Sequence, residues 1–302
     1  MFDKIQHIGY QVRNLDQAIV FFEEKFGGVK TGSGQAQLGG RNAFIKFGNI
    51  EVELLEPLNH LEIPSGTLNM HHVGYLVQDI SEARKELMLR GLKFTSDTPA
   101  INHLSHQVLW LDQSTTNDCM IHITQLPDKP VDVSVNSGLP IDSIIHAGYV
   151  VDNLEAAVAW YVEKFDGTYI GGGMSIRGIN NAFVNFGKVQ VELLEPNHID
   201  QLQGHRHHMD HVGYVTRNIH SCISDSEDRG LTMGEPSPRT NVINQLLCYF
   251  DTSSTCGTRM HLTNYLKQHR MIGPNLSCLD LSKETIYYGK SRSANLRVRP
   301  FV

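Results

Sequence analysis

The chain has 302 residues, 40% hydrophobic and 19% charged, a balance typical of globular proteins that excludes a disordered or fibrous one. A formal net charge of -6 gives no sign of a nucleic-acid-binding surface, so no nucleic-acid partner is expected. No apolar run approaches the length of a membrane span, and the first residues lack the apolar core of a signal peptide. The five cysteines form no C-x-x-C motif and are interpreted as free thiols in a reducing compartment. These observations predict a cytoplasmic protein with no membrane partner.

The first predicted elements are a strand, HIGYQV, and a helix, LDQAIVFFEEKF. Asn14 lies where a helix N-cap is needed, Gln17 completes a capping box, and the helix is expected to end near Gly27. The runs AFIKFG and IEVELLEP then predict strands. The same order recurs from HHVGYLVQDI, with Asp79 and Glu82 at the helix start, through QVLWLD and MIHITQLP. A unit of one strand, one helix and two or three strands therefore occurs twice.

The second half of the chain repeats the first half at an offset of 139 residues, without a gap from about Ile5 to Leu126. HIGY becomes HAGY, VELLEP recurs unchanged, and HHVGY becomes DHVGY. The repeat predicts a first domain over 1–127, a linker over 128–142, a second domain over 143–266 and a C-terminal extension over 267–302. Within the domains, the approximate modules are 4–58, 70–127, 143–197 and 209–266.

Three histidines and one glutamate keep their places in both halves. Other histidines do not, because the positions of His103 and His106 hold Val242 and Gln245 in the second half. A lone strand histidine is usually a hydrogen-bonded core or surface residue, but a repeated set of imidazoles and a carboxylate suits a divalent metal ion. The sequence therefore predicts about two ions per chain, of Mn, Fe, Co, Ni or Zn. The pairs related by the offset are His7 and His146, Glu53 and Glu192, His72 and His211, and His122 and His261.

Strand alternation predicts which of these side chains share a face. In IEVELLEP, Glu53 faces away from Val52, and each candidate histidine lies on a predicted strand. His7 precedes Gly9 by two residues, and the histidine of the HHVGY strand precedes Gly74 in the same way. We therefore expect each glycine to share the face of its own histidine and to leave it room.

The motifs HIGYQVRNLDQAIVFFEEKFGG, VELLEP and HHVGYLVQDI together resemble the vicinal oxygen chelate superfamily of glyoxalases, bleomycin-resistance proteins and dioxygenases. The resemblance extends over nearly the whole chain up to Leu266 and is greatest to methylmalonyl-CoA epimerases and glyoxalase I. It implies an α+β fold in which four βαβββ modules pair into two cup-shaped, eight-stranded mixed sheets, each around one divalent ion. It also implies that the four repeated residues of each half are the metal ligands.

The chain departs from this superfamily at the ligand on the last strand, which is usually Glu there and is His122 or His261 here. In isomerases of the superfamily that Glu can double as the proton-transfer base, whereas a metal-bound neutral imidazole cannot. Glu53 and Glu192 are the only carboxylates of the two sets and are therefore candidate catalytic bases. His106 is a further catalytic candidate, because a histidine near the substrate can transfer a proton near neutral pH. We therefore expect the first half to carry more of the proton transfer; the open alternative is that His103 and His106 lie in a solvent-exposed loop and take no part in it.

The predicted activity is that of an isomerase, epimerase or lyase acting through a metal-stabilised enolate. Its substrate is expected to be a small vicinal-oxygen compound such as a hydroxyketone, a ketoacid or an acyl thioester, bound by a monomer or homodimer. A non-haem Fe(II) dioxygenase of the same superfamily and a binding protein that sequesters a small molecule remain open alternatives. The asparagines among the substrate-binding candidates could equally be turn or strand-edge residues. These candidates are Asn42, Asn181, Asn102, Asn241, Phe44 and Tyr75, with Tyr10 and Phe47 as further walls of the cup.

Overall fold

A computed structural model describes residues 1–129, 138–175, 178–202, 204 and 206–265. These residues form one compact unit. The tail predicted as an extension and most of the predicted linker lie outside the described residues, and the domain boundaries remain predictions. Strand β9 begins at Ile141, inside the segment predicted as a linker. Among the described residues, no helix combines the length and apolar character needed to cross a membrane.

The first half forms one eight-stranded mixed sheet in the order β2-β3-β4-β1-β5-β8-β7-β6. Strand β1 pairs in parallel with β4 and antiparallel with β5, so the two modules meet between β1 and β5. The strands are β1 (Phe2–Val12), β2 (Val29–Gln35), β3 (Arg41–Phe47), β4 (Ile50–Glu56), β5 (Leu68–Val77), β6 (Ala100–Ile101), β7 (Gln107–Trp110) and β8 (Ile121–Gln125), and the helices are α1 (Leu15–Phe26) and α2 (Ile80–Leu89).

The second half repeats this arrangement as β10-β11-β12-β9-β13-β16-β15-β14. The predicted α+β class with two eight-stranded mixed sheets is therefore confirmed. The strands are β9 (Ile141–Val151), β10 (Thr168–Met174), β11 (Asn180–Phe186), β12 (Val189–Glu195), β13 (His207–Thr216), β14 (Arg239–Thr240), β15 (Gln245–Tyr249) and β16 (Arg259–Tyr265), and the helices are α3 (Leu154–Phe165) and α4 (Ile219–Asp228).

The helix starts follow the predicted capping chemistry. The Asn14 side chain accepts a hydrogen bond from the backbone N–H of Gln17, and that of Asp79 accepts from the backbone N–H of Glu82. Helix α1 ends at Gly27, whose φ of 66° lies in the left-handed region that glycine adopts at little cost. These caps fix where α1 begins and ends and where α2 begins.

The convex faces of the two sheets contribute to one shared hydrophobic core. Phe2 of β1 packs against Phe165 and Phe186 of the second half, with ring centroids 5.1 and 5.3 Å apart. The hydroxyl oxygens of Tyr10 and Tyr214 lie 3.3 Å apart across the same boundary. The buried aromatic residues therefore join the two halves.

This core corrects the expectation that Tyr10, Tyr75 and Phe47 wall the cup. All three are fully buried on the convex side, where Tyr75 contacts Phe2 and Phe47 contacts Phe26. The physical reason is strand alternation: Tyr75 follows Gly74, which lies against the His122 imidazole on the concave face, so the Tyr75 side chain projects to the other side.

Phe2→Ala tests the packing between the halves. Phe2 is 2% exposed, and its removal leaves a cavity among aromatic rings, so we expect the free energy of unfolding to fall by about 3–5 kcal/mol. Urea denaturation followed by circular dichroism measures this change. Leu89→Ala is the control, because Leu89 is 89% exposed and should change the free energy by less than about 0.5 kcal/mol. Similar losses from both variants would contradict a shared core.

Candidate metal centres

Three strands of the first sheet bring three buried imidazoles together. The Nε2 atom of His7 on β1 lies 3.0 Å from that of His72 on β5 and 3.2 Å from that of His122 on β8. Each of the three residues is at most 2% exposed. All three histidines therefore direct the same ring nitrogen into one small volume.

Glu53 on β4 completes this first centre. Its Oε2 atom lies 3.4 Å from His7 Nε2 and 3.2 Å from His72 Nε2. Asn42 donates a hydrogen bond of 2.5 Å to the other carboxylate oxygen, Oε1. Burial raises the pKa of Glu53, but the contacts with His7 and His72 outweigh burial and hold the pKa well below its ordinary value. The lowered pKa favours the ionised form of the carboxylate.

Glycines opposite the histidines make room for their rings. Gly9 pairs with His72 across β1 and β5, and a Cβ atom at Gly9 would lie 1.9 Å from His72 Cε1. Gly74 pairs with His122, and a Cβ atom there would lie 2.5 Å from His122 Cε1. The sequence-based expectation was therefore wrong in one respect: each glycine makes room for the histidine of the neighbouring strand rather than for its own.

The second half builds the same centre. His146 Nε2 lies 3.1 Å from His211 Nε2 and 3.0 Å from His261 Nε2, and all three residues are fully buried. Glu192 Oε2 lies 3.5 Å from His146 Nε2 and 3.1 Å from His211 Nε2. Asn181 donates to Glu192 Oε1 at 2.7 Å, as Asn42 does to Glu53 in the first half.

In most of these histidines an oxygen atom accepts a hydrogen bond from Nδ1, the ring nitrogen that faces away from the centre. His7 Nδ1 donates to Gln6 Oε1, and Gln6 in turn donates to Glu51 at 3.1 Å. His146 Nδ1 donates to Gln190 Oε1 at 3.2 Å. His261 Nδ1 lies 3.3 Å from its acceptor, the carbonyl oxygen of Leu262. A proton on Nδ1 leaves the Nε2 lone pair free to face the centre, which is the tautomer that a metal ligand needs.

Burial also keeps several of these imidazoles neutral. Burial lowers the pKa of His146 to about 4, with a further contribution from the neighbouring His211. Burial and the neighbouring histidines likewise lower the pKa of His122 and of His261 well below the ordinary value. His211 differs: burial lowers its pKa, but hydrogen bonds to Asp210 and Glu192 raise it more, to about 9.

The donor sets fit a divalent ion. Three imidazole nitrogens and a carboxylate oxygen are ligands that Mn, Fe, Co, Ni and Zn accept. Two nitrogens that bind one ion at right angles, each at about 2.1 Å, would lie about 3.0 Å apart. The Nε2 separations of 3.0 and 3.2 Å in the first half and 3.1 and 3.0 Å in the second match this spacing.

A pocket opens from the first centre and contains several predicted substrate-binding residues. Its lining includes His7, Glu53, Asn42, Phe44 and Asn102. The Phe44 and His7 rings lie 5.7 Å apart, so the predicted aromatic wall reaches the centre. Of the aromatic candidates, the structure therefore brings Phe44 to the pocket.

Two other candidate asparagines have turn roles. Asn102 Oδ1 accepts hydrogen bonds from the backbone N–H groups of Leu104 and His106. Asn241 Oδ1 accepts from those of Ile243 and Gln245 in the same way. Both side-chain oxygens therefore shape a turn, which was the open alternative, and a role in binding substrate stays a prediction.

His106 is buried, and its Nδ1 atom has no hydrogen-bond partner among the described residues. Burial lowers its pKa to about 4, with a smaller effect from His7. His106 lies directly before β7 and two residues before Val108, which lines the pocket, but the described lining includes His103 and not His106. Its catalytic role stays a prediction.

Sequence reasoning missed Trp110. Its ring lies 5.0 Å from that of His72 and 4.7 Å from that of His122, and its Nε1 donates to Gln37 at 3.1 Å. The repeat offset places Tyr249 at the equivalent position, 4.8 Å from the His261 ring. The signal available in the sequence was an aromatic residue at this position in both halves.

Comparison with known proteins agrees with this architecture. The family model of the Glyoxalase/Bleomycin resistance protein/Dioxygenase superfamily matches residues 6–110 and 145–249. These ranges contain more than half of the chain and fall one in each half. The chain therefore belongs to this superfamily, which confirms the resemblance drawn from the motifs.

The relatives include enzymes with different activities. The mitochondrial methylmalonyl-CoA epimerase of Dictyostelium discoideum is 26% identical over 131 residues, 40% of this chain and 78% of that protein. A mutant of 4-hydroxymandelate synthase from Streptomyces coelicolor has a TM-score of 0.67 at 15% identity, covering 87% of this chain and 92% of its own. The Mn(II)-bound glyoxalase from Novosphingobium aromaticivorans has a TM-score of 0.63 at 14% identity, covering 88% and 83%. At these identities the two structures show a shared fold.

Proposed function

We propose that the chain is a divalent-metal-dependent isomerase or epimerase that moves a proton next to a carbonyl group of a small substrate with two neighbouring oxygens. The observation that carries this proposal is the Glu53 carboxylate, which contacts the imidazoles of His7 and His72 and lines a pocket. The epimerase among the relatives supports the reaction class.

In each half, three histidine Nε2 atoms and one glutamate oxygen would hold the ion. When bound, a divalent ion supplies a Lewis acid that stabilises negative charge developing on a carbonyl oxygen. The proposed ligands are His7, Glu53, His72 and His122 in the first half, and His146, Glu192, His211 and His261 in the second.

Glu53 would act as the base. It would take the proton from the carbon next to the carbonyl, while the electrons of that C–H bond form an enolate. A proton would then be delivered to the opposite face of this carbon in an epimerase, or to the neighbouring carbon in an isomerase. Asn42 holds the Oε1 atom and so limits the movement of the carboxylate. Burial raises the pKa of Glu53 and its contacts with His7 and His72 lower it, so weakening of those contacts would make the carboxylate a stronger base.

Isotope exchange tests this chemistry on small probes that carry the expected functional groups. The metal-supplemented protein is incubated in deuterated water with methylmalonyl-CoA, pyruvate or hydroxyacetone as probes. We expect deuterium to enter the carbon next to the carbonyl of at least one probe, without oxygen uptake, as measured by proton NMR and an oxygen electrode. Oxygen consumption with an oxidised product would instead establish a dioxygenase. Binding of a probe without exchange or oxidation would identify a sequestering protein.

Glu53→Gln separates the base from the ligand. In a His211→Ala background, which silences the second centre, we expect the exchange rate to fall by about 10²–10⁴-fold, because glutamine cannot accept the proton. Metal content should fall far less, since the amide oxygen can still bind. Glu56→Gln is the matched control on the same strand, because Glu56 pairs with Arg41 rather than with the histidines. Equal losses of exchange and metal in Glu53→Gln would show that Glu53 is only a ligand.

A further inference from the structure

The two centres differ in what contacts the Nδ1 atom of His72 on β5 and that of His211 on β13, the first strands of the second module in each half. In the first half, His72 Nδ1 lies 3.0 Å from another imidazole nitrogen, His71 Nδ1. In the second half, His211 Nδ1 lies 2.9 Å from the Oδ2 atom of Asp210. Position 71 plus 139 is 210, so the same site of the repeat carries a histidine in one half and a carboxylate in the other.

A second charged residue accompanies the carboxylate. Arg259 Nη1 donates to Asp210 Oδ1 at 2.5 Å, while the other oxygen faces His211. The Asp210 side chain is 8% exposed, so the guanidinium compensates a largely buried charge. Position 120 plus 139 is 259, and the first half has Met120 there. The exchange from histidine to aspartate is thus accompanied by the exchange from methionine to arginine.

The carboxylate and the imidazole differ as hydrogen-bond acceptors. An anionic oxygen that accepts the Nδ1–H of a metal-binding histidine fixes its tautomer and increases the electron density on Nε2. A neutral imidazole that accepts the same hydrogen bond carries no negative charge. The proton between His71 Nδ1 and His72 Nδ1 can also reside on either ring. His211 Nε2 is consequently a stronger electron-pair donor to a metal ion than His72 Nε2, and the His211 ring is held more firmly in one orientation.

We infer that the second-half centre binds its divalent ion more tightly than the first, and that Asp210, oriented by Arg259, is the positioning residue responsible. This inference rests on the proposed function, since it requires that both centres bind an ion. Carboxylate contacts of this kind change metal affinity by about 10–100-fold. We expect the two centres to differ by that factor.

Titration of the metal-free full-length chain with Mn²⁺, followed by calorimetry, tests the ranking. His72→Ala leaves the second centre to be measured, and His211→Ala leaves the first. We expect Kd in the His72→Ala protein to be about 10–100-fold lower than Kd in the His211→Ala protein. Equal affinities, or a tighter first centre, would overturn the inference and leave the proposed metal sites standing. Absence of Mn²⁺ binding at both centres would overturn the proposed function itself.

Asp210→Asn assigns the difference to the carboxylate. In the His72→Ala background it keeps the side-chain shape and removes the charge, so Kd for Mn²⁺ should rise by about 10–100-fold. Asp142→Asn in the same background is the matched control, because Asp142 on β9 pairs with Arg217 at 3.2 Å and does not touch a histidine of the centre. An unchanged Kd in Asp210→Asn would overturn the role of Asp210.

A further test transfers the charged pair into the first half, so its outcome does not depend on the stability of the Asp210→Asn protein. His71→Asp combined with Met120→Arg, in the His211→Ala background, places the same charged pair behind His72. We expect Mn²⁺ to bind this protein about 10-fold more tightly than the His211→Ala parent. A residue that only stabilised the second sheet would have no such effect in the first, so an unchanged or weaker affinity would contradict the inference.

Discussion

Gly9→Ala should remove the ion from the first centre and leave the second centre occupied. The added Cβ atom would lie 1.9 Å from His72 Cε1, closer than any real contact, so the His72 ring must leave its position. Gly9 lies on β1 between two paired strands, which prevents the backbone from moving aside. We expect the metal content to fall from about two ions per chain to about one, as measured by elemental analysis.

The reciprocal variant, Gly148→Ala, is the control for this result. Its Cβ atom would lie 2.1 Å from His211 Cε1, so it should empty the second centre and spare the first. In each variant the remaining ion reports that the chain is still folded. Two ions in both variants would show that the rings relax without losing the metal, and loss of both ions in either variant would show that the centres are not independent.

The repeat made most of the candidate site predictable from the sequence. A shared offset identified the four residues of each centre, and the period of two along a strand predicted that Glu53 faces away from Val52. The structure brings the Nε2 atoms of His72 and His122 to 3.0 and 3.2 Å from that of His7. Identical local patterns in two copies thus carry information that a single copy does not.

The contacts behind the ligands were not predictable, because they depend on residues that differ between the halves. His7 is held by Gln6, its neighbour in sequence, whereas His146 is held by Gln190 from the adjacent strand. Tyr75 was placed in the cup by residue type, although its neighbour Gly74 already assigned it to the opposite face. The contacts between convex residues of the two halves depend on how the sheets pack. The sequence contains no direct signal of this packing.

The two centres also face different surroundings, which bears on which half is the more active. His103 is exposed and lines the pocket of the first centre, with its ring 5.5 Å from that of Phe44, and its counterpart Val242 is likewise exposed. Gln245, at the position of His106, is engaged with the side chain of Asn241. An imidazole can accept or donate a proton, whereas valine cannot and glutamine only forms hydrogen bonds. The first half therefore has two imidazoles at positions where the second half has none.

His72→Ala and His211→Ala should accordingly leave unequal activities. Each removes one ligand, and we expect each protein to retain about one ion per chain. The His211→Ala protein, which keeps the first centre, should retain most of the exchange activity, while the His72→Ala protein should lose about 10²-fold or more, because a positioned acid or base contributes about 10²–10⁴-fold. Exchange rates per bound ion, measured with the same probe, make this comparison.

His106→Gln identifies the source of that asymmetry, because it gives the first half the residue that the second half has. In the His211→Ala background it should lower the exchange rate toward that of the His72→Ala protein without changing the metal content. Equal residual rates in the two single-centre proteins would reject the asymmetry. If the two rates are unequal but His106→Gln does not change the rate of the first centre, the difference would instead be assigned to the ligand environment. Asp210 strengthens the donor set of the second centre, and a more strongly donating set weakens the Lewis acidity of its ion.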